Sequence, residues 1–219
     1  MHDQGIIHGD LKGVRSRSLS SLPPAPDWPK ANILVDNSGR ACLADFSLLT
    51  IASDQQTMVT SCIEGGTIQW MSPELLYPER FGLKKSRPTK ESDCYALGMV
   101  VYEVLGGQIP FHPSAPFTVI GKVLEGKRPA RPEGERGRLF TNAIWRLLEL
   151  SWKTQPRDRP NAKAVLSCLE GNPPSVWLVP NVDKDSGVGG GNESDAVSSD
   201  SGAYPPFTLV SLSVTLVAR

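Results

Sequence analysis

The chain has 219 residues, of which 39% are hydrophobic and 21% charged, a composition typical of a globular domain with its own core. Its 23 basic and 23 acidic residues balance, so no net positive field favours nucleic acid or an anionic membrane as partner. The 4 cysteines form no C-x-x-C pair, which favours reduced thiols over a disulfide framework or a zinc site, and predicts a cytoplasmic protein, with the nucleus as second possibility. The N-terminus does not resemble a signal peptide, and no apolar run approaches the about 20 residues of a membrane span.

The first half of the chain predicts one small β element. Apolar runs at 33–35 and 41–44 flank the turn sequence DNSG, a pattern typical of a hairpin. Residues 47–72 are polar without clear periodicity, which predicts a long loop of the kind often found at functional sites.

The second half predicts four helices. Residues 91–106 are apolar on nearly every side, as in a buried central helix that ends at the Gly-Gly pair. Two further helices are predicted over 115–126 and about 139–153, and the apolar residues of the second are Phe140, Ile144, Leu147, Leu148 and Trp152. The fourth begins at Pro160 and ends near Gly171, with Val165, Leu166 and Leu169 facing inward.

Beyond Gly171 the composition changes. Residues 183–202 are rich in Gly, Ser and Asp and contain little that a core could bury, so we expect a disordered tail over 172–219. The apolar stretch FTLVSLSVTLVAR at the end is too short to cross a bilayer. The predicted fold class is therefore mainly α, with one β-hairpin.

Residues 14–30, rich in Ser and Pro, separate two stretches that look catalytic, HGDLKG and ANILVD. Without that segment, Asp10, Lys12 and Asn32 stand at D-x-K-x-x-N spacing. Further along the chain come the motifs DFS at 45–47, GT at 66–67, SPE at 72–74, SD at 92–93 and PRDRP at 156–160.

This series of motifs, in this order, resembles the C-terminal lobe of a eukaryotic protein kinase over about residues 1–170. The stretches GTIQWMSPELL and SDCYALGMVVYEVLGGQIPF are similar to the tyrosine-kinase-like branch, and Lys12 after Asp10-Leu11 favours Ser/Thr over Tyr substrates. The resemblance implies that residues 1–171 are a kinase-like C-lobe of the α+β family, with protein substrates and with ATP and Mg²⁺ as cofactors.

The resemblance also implies a role for each motif residue. Asp10 would accept the proton of the attacking hydroxyl, and Lys12 would neutralise charge on the moving phosphoryl group. Asn32 and Asp45 would be oxygen ligands of Mg²⁺, and Leu34 would pack under the adenine ring. Thr67 would link the substrate-side loop to Asp10 and Lys12. Glu74 and Arg159 would form a buried ion pair. Asp93 would hold the backbone amides of the catalytic loop.

Each of these residues also has an ordinary structural explanation. A lone Asp before Leu-Lys is usually a solvated charge, an Asp after a strand is usually a turn residue or cap, and an Asn before an apolar run usually begins a strand. Only the joint order of the motifs favours the catalytic interpretation.

Several features depart from the kinase pattern. Gly9 stands where the family has Arg, so a phosphorylated activation loop would lack its usual basic partner, and Ser47 replaces a Gly. The chain contains no G-x-G-x-x-G and no V-A-I-K equivalent, so the N-lobe that clamps ATP is expected to be absent. We therefore expect a parent Ser/Thr kinase of which this chain is an inactive part; the alternatives are a non-catalytic, pseudokinase-like binding or scaffold module, and a nonfunctional gene relic.

The segment 14–30 itself has two explanations. Its first residue is Val, whose codons begin with GT, and its last is Lys, one of whose codons ends with AG, so the segment is consistent with a translated intron. The other explanation is a genuine surface loop, which costs little entropy. We favour the intron, because an insertion between a base and a metal ligand is expected to displace one from the other, and about 1 Å of displacement is costly.

Overall fold

The computed structural model describes residues 1–16, 31–35, 40–44 and 67–172. The predicted turn at 36–39, most of the predicted loop at 47–72 and the tail from residue 173 lie outside the described residues. None of the helices in the described part is long and apolar enough to cross a membrane.

A three-stranded sheet lies in the N-terminal part, in the order β1 (Val14–Ser16), β2 (Ile33–Val35) and β3 (Ala41–Leu43). Strands β2 and β3 are antiparallel, with Ile33 opposite Leu43, so the predicted hairpin pairing is confirmed. Strand β1 was not predicted; it runs parallel to β2, with Val14 opposite Ile33. The backbone N–H of Asn32 donates to the carbonyl of Lys12 at 2.9 Å. This hydrogen bond brings the two segments side by side just before β1 and β2 begin.

The rest of the described chain is helical. The helices are α1 (Pro73–Leu76), α2 (Lys90–Gly106), α3 (Pro116–Leu124), α4 (Gly134–Gly137), α5 (Asn142–Ser151) and α6 (Ala162–Leu169). Short 3₁₀ helices cover His2–Gln4, Ile68–Trp70, Pro78–Phe81 and Pro156–Asp158. The four predicted helices are thus confirmed as α2, α3, α5 and α6, while Ile68–Trp70 turns within the segment predicted to be irregular.

Helix α2 begins with a capping box. The hydroxyl of Thr89 accepts from the amide of Ser92 at 3.2 Å, and the hydroxyl of Ser92 accepts from the amide of Thr89 at 2.8 Å. Tyr95 and Met99 are fully buried, at 0% exposure. Burial on all sides, as predicted, holds only for the first turns, because residues 101–105 are half-buried.

Helix α5 packs closely against α2 at Gly98. A Cβ placed on Gly98 would lie 2.8 Å from the Cβ of Ser151 and 2.9 Å from Nε1 of Trp152. The indole of Trp152 meets the rings of Tyr102 and Trp145 edge-on, with centroids 5.8 and 6.0 Å apart. The absence of a side chain at Gly98 is therefore what lets the two helices approach.

Helix α6 differs from the prediction at its start and in its inward face. Its N-cap is Asn161, whose side chain accepts from the amide of Ala164 at 2.9 Å, so Pro160 precedes the helix instead of opening it. Val165 is buried as predicted, but Leu166 and Leu169 are 42% and 38% exposed, and Cys168 takes the second buried position. The helix packs against Leu147 of α5 through the face that carries Val165 and Cys168. The apolar periodicity of the sequence does not by itself predict which face is buried.

We predict that Gly98→Ala lowers the free energy of unfolding by roughly 1–3 kcal/mol, because the new methyl group overlaps Ser151 and Trp152. Gly121→Ala in α3 is the matched control, since a Cβ there meets nothing within 4 Å and helix propensity favours Ala by up to about 1 kcal/mol. Urea unfolding of both variants measures the difference. Equal effects of the two substitutions would contradict the close approach at Gly98.

Candidate functional site

Four polar side chains from three separate stretches of sequence meet in one buried network. The side-chain amide of Asn32 donates to the backbone carbonyl of Asp10 at 2.7 Å and to its Oδ2 at 2.8 Å. The ammonium of Lys12 lies 3.0 Å from the same Oδ2 and donates to the hydroxyl of Thr67 at 2.7 Å. All four residues are at most 6% exposed, so these are charge-assisted bonds largely shielded from water.

The second carboxylate oxygen of Asp10 has a different environment. Oδ1 is buried and has no hydrogen-bond partner within the described part of the chain. A small cavity lined by Asp10, Thr67 and Asp93 among others has a volume of about 10 Å³, close to the minimum for one water molecule. A buried carboxylate oxygen without a donor is costly to maintain and is ready to accept a proton or a hydrogen bond.

Asp93, in the first turn of α2, holds the loop that carries Asp10. Its two carboxylate oxygens accept from the backbone amides of His8 and Gly9 at 2.8 and 2.9 Å, and Oδ2 also lies 2.9 Å from Nε2 of His2. Gly9 has a φ of 81°, a backbone conformation that a residue with a Cβ adopts only at a cost. The motif order indicated Asp93, but not His2, for which no sequence signal was found; their contact joins residues 91 positions apart.

A buried ion pair lies on the other side of α2. The guanidinium of Arg159 donates to both carboxylate oxygens of Glu74, at 2.6 and 2.7 Å, and to the carbonyl of Glu91 at 3.1 Å. It also lies over the ring of Tyr95, 5.0 Å from the ring centre. The pair therefore ties α1, which contains the Glu of the SPE motif, to α2 and to the PRDRP segment, well inside the protein.

Burial also sets the ionisation of two α2 side chains. Burial, together with the neighbouring carboxylates Asp93 and Glu91, raises the pKa of the Cys94 thiol to about 11. Burial raises the pKa of Tyr95 to about 12, against the opposing effect of Arg128 and Arg159. Cys94 is therefore a neutral thiol at physiological pH and is not poised as a nucleophile.

The two residues that flank segment 14–30, Gly13 and Ala31, lie close together. Gly13 has a φ of 53°, and a Cβ placed on it would lie 3.1 Å from the Cβ of Ala31. The chain thus leaves the loop and returns to it at nearly the same point. As a result Asn32 reaches Asp10 with the segment present, and the displacement that we expected from an insertion is not observed.

Two residues that we predicted to belong to the site are not seen to join this network. Asp45 lies outside the described residues, although the preceding residue, Ala44, is held by His8, whose Nε2 lies 3.0 Å from the Ala44 carbonyl. Leu34 lies half-buried in β2, opposite Cys42 of β3. In the part of the chain that the structure describes, no three His, Cys, Asp or Glu side chains are grouped so as to hold a metal ion.

Comparison with known proteins matches residues 27–169 to the family model described as "Protein tyrosine and serine/threonine kinase". Among curated proteins, the chain is 27% identical over 171 residues to "Serine/threonine-protein kinase STY46" of Arabidopsis thaliana, covering 78% of this chain and 24% of that protein. It is 32% identical over 170 residues to "Probable serine/threonine-protein kinase drkB" of Dictyostelium discoideum, covering 76% and 21%. It is 28% identical over 167 residues to "MAP3K epsilon protein kinase 2" of Arabidopsis thaliana, covering 76% and 10%.

Two features of these matches bear on the site. The chain spans only 10% to 24% of the length of these relatives. The family match begins at residue 27, so Asn32, Thr67, Glu74, Asp93 and Arg159 lie within it, whereas Asp10 and Lys12 precede it.

We predict that Asp93→Asn loosens the loop at His8 and Gly9, because an amide nitrogen cannot accept from their N–H groups. The loss of charge-assisted hydrogen bonds is expected to lower the free energy of unfolding by about 1.5–3 kcal/mol. Amide hydrogen exchange at His8 and Gly9 measures the local effect, and we expect it to become at least about tenfold faster. The exposed Asp158→Asn is the control; unchanged protection of both amides in Asp93→Asn would contradict the anchoring role.

Proposed function

Because this chain belongs to the protein tyrosine and serine/threonine kinase family, we propose that its parent enzyme transfers the γ-phosphoryl group of ATP to Ser and Thr hydroxyls of proteins, and that residues 1–171 form the C-terminal lobe of that enzyme. The observation that carries this proposal is the carboxylate of Asp10. It is held through Oδ2 by Asn32 and Lys12, while Oδ1 has no donor in the described structure.

Asp10 is suited to be the base of the reaction. The hydroxyl of the protein substrate donates its hydrogen bond to Oδ1 and is thereby oriented for attack. As the oxygen forms its bond to the γ-phosphorus, the bond between that phosphorus and the β–γ bridging oxygen breaks, ADP leaves, and the hydroxyl proton passes to Oδ1. Because Oδ2 already has two donors, the geometry of the carboxylate is set before substrate binds.

Lys12 has two roles in this proposal. Its ammonium lies within reach of both Asp10 and Thr67, so it connects the base to the segment that precedes α1. Its positive charge is close to where negative charge moves during transfer, and in a buried site such a charge is worth more than in water. Its position two residues after Asp10 is the basis for proposing Ser and Thr, rather than Tyr, as substrates.

The residues fit a magnesium ion in part. The side-chain nitrogen of Asn32 donates to the carbonyl and to Oδ2 of Asp10, and its side-chain oxygen would be the hard ligand that it offers to Mg²⁺. Asp45 would supply a carboxylate oxygen, and Leu34 an apolar contact to the adenine. Bound Mg²⁺ would neutralise charge on the phosphates of ATP.

The chain by itself is proposed to be inactive. Its sequence contains neither the Gly-rich loop nor the strand lysine that grip the phosphates in this family. Without them the positioning and charge stabilisation that drive phosphoryl transfer are largely lost. The greater length of the relatives supports a parent protein that supplies these parts.

The second candidate function is a non-catalytic module that binds protein partners. The interruption of the loop at 14–30 and the Gly in place of the family Arg at position 9 favour it. The retention of Asp10, Lys12, Asn32 and Asp45 favours the active parent. Sequencing the transcript across codons 13–31 and upstream of Met1 distinguishes the two, because only an active parent requires a message that encodes the ATP clamp.

We predict that this chain shows no transfer of labelled phosphate from ATP to a mixed Ser/Thr protein substrate, with or without Mg²⁺. The polypeptide encoded by the complete transcript is expected to show Mg²⁺-dependent transfer. Asp10→Asn in that polypeptide should lower kcat by about 10²–10⁴, the usual contribution of a general base, with Asp158→Asn as the control. Asp10-dependent activity of this chain alone, or no activity of the complete protein, would overturn the proposal.

We also predict that deleting residues 14–30 and joining Gly13 to Ala31 leaves a folded protein whose free energy of unfolding changes by no more than about 1–2 kcal/mol. The flanking residues Gly13 and Ala31 already lie close together, the deletion removes only the three-residue edge strand β1 from the described sheet, and shortening a loop by this amount changes its closure entropy little. Urea unfolding, with hydrogen exchange at the Asn32 backbone amide, measures the outcome. A deletion variant that does not fold would show that the segment is an integral part of the domain and would contradict the translated intron.

A further inference from the structure

An exposed basic loop joins the 3₁₀ helix at Pro78–Phe81 to α2. We define the basic loop as residues 84–90, whose cationic side chains are Lys84, Lys85, Arg87 and Lys90. All four are exposed, and the loop contains no Asp or Glu. The whole chain has zero net charge, so the loop is a local concentration of positive charge.

The loop is fixed at its middle and at its C-terminal end. In its middle, the hydroxyl of Ser86, which is 2% exposed, donates to the carbonyl of Leu75 at 2.9 Å. At its end, Thr89 and Ser92 form the capping box that starts α2. The cations are therefore displayed from an anchored backbone, so less entropy is lost when an anion binds there.

Three of the four cationic side chains of this loop have no carboxylate partner in the described structure. In the described structure Lys84, Arg87 and Lys90 lie within ion-pairing distance of no carboxylate, whereas Lys127, Arg138 and Lys163 lie 2.8, 2.7 and 3.4 Å from Glu125, Glu135 and Asp3. Lys90 also occupies the first turn of α2, where the helix dipole disfavours a cation. An anionic group placed against the loop would relieve both kinds of repulsion.

The same chain carries a segment of opposite charge. Residues 183–200, the acidic segment, contain one cation, Lys184, and the carboxylates of Asp183, Asp185, Glu193, Asp195 and Asp200. The described structure ends at Asn172. A fully extended chain gains up to about 3.5 Å per residue, so the connection from 172 to 183 spans up to roughly 35 Å, about the diameter of a small domain.

We propose that the acidic segment 183–200 docks on the basic loop 84–90 of the same chain. Tethering gives the segment an effective concentration of about millimolar at the loop, which compensates for weak individual ion pairs. A nucleic acid or an anionic membrane is disfavoured, because such partners are held by many cations, each worth about 1 kcal/mol at a membrane, and the basic loop offers only a small cluster. The proposal does not depend on phosphoryl transfer.

Zero-length carbodiimide cross-linking of the full chain at low micromolar concentration tests the proposal. The reagent joins a lysine amine to a carboxylate only where the two are in contact, and mass spectrometry identifies the joined peptides. We expect cross-links from Lys84, Lys85 and Lys90 to the acidic segment, with few from the exposed Lys153, and a decrease of at least about fivefold in 0.5 M salt. Equal cross-linking of Lys153, or none from the loop, overturns the proposal.

Charge variants make the test specific. K84Q/R87Q/K90Q should reduce the remaining cross-links from Lys85 at least about fivefold, while K127Q/R138Q/K153Q, with the same loss of charge, should change them less than about twofold. Cross-links that increase with protein concentration would assign the loop to the tail of a second copy and overturn intramolecular docking. Binding of duplex DNA or phosphatidylserine vesicles through the loop lysines, without cross-links to the acidic segment, would overturn it as well.

Discussion

The carboxylate of Asp93 is the contact on which the candidate site depends. It sits in the first turn of the most buried helix, where the helix dipole favours a negative charge, and it accepts from two backbone amides of the loop that carries Asp10. A buried carboxylate without such donors would cost several kcal/mol. The loop and the helix therefore stabilise each other, and the positions of Asp10 and Lys12 follow from the position of α2.

Helix α2 contacts a different part of the protein at successive positions along its length. Asp93 faces the loop, and Tyr95 lies beneath the guanidinium that pairs with Glu74. One turn later Gly98 leaves room for Ser151 at the end of α5 and for Trp152, which follows it. A helix with so many partners cannot have a single polar face, which explains why its apolar residues lie on nearly every side, and its one buried charged residue, Asp93, is satisfied by backbone amides.

The polar network of the site shows how an interrupted loop can keep its geometry. The backbone amide of Asn32 donates to the carbonyl of Lys12, and both side chains contact the same oxygen of Asp10, so the two sides of the interruption are joined by hydrogen bonds as well as by the chain. Segment 14–30 leaves and returns at the contact between Gly13 and Ala31. This geometry accommodates either a genuine insertion or a direct peptide bond between Gly13 and Ala31. Neither requires the carboxylate of Asp10 and the side-chain amide of Asn32 to move apart.

The features that could be predicted from the residues alone are local. They are the central helix, its glycine stop, the β2–β3 pairing and the order of motifs that indicated Asp10, Lys12, Asn32 and Thr67. Periodicity, capping and turn signals involve residues a few positions apart, so they can be read without the fold. Long-range packing determines three features that no local pattern indicates: His2 contacts Asp93, β1 joins the sheet, and Cys168 rather than Leu166 or Leu169 is buried in α6. Those outcomes depend on which surfaces meet across long sequence separations, because a helix with several apolar stripes buries the one that its neighbour covers.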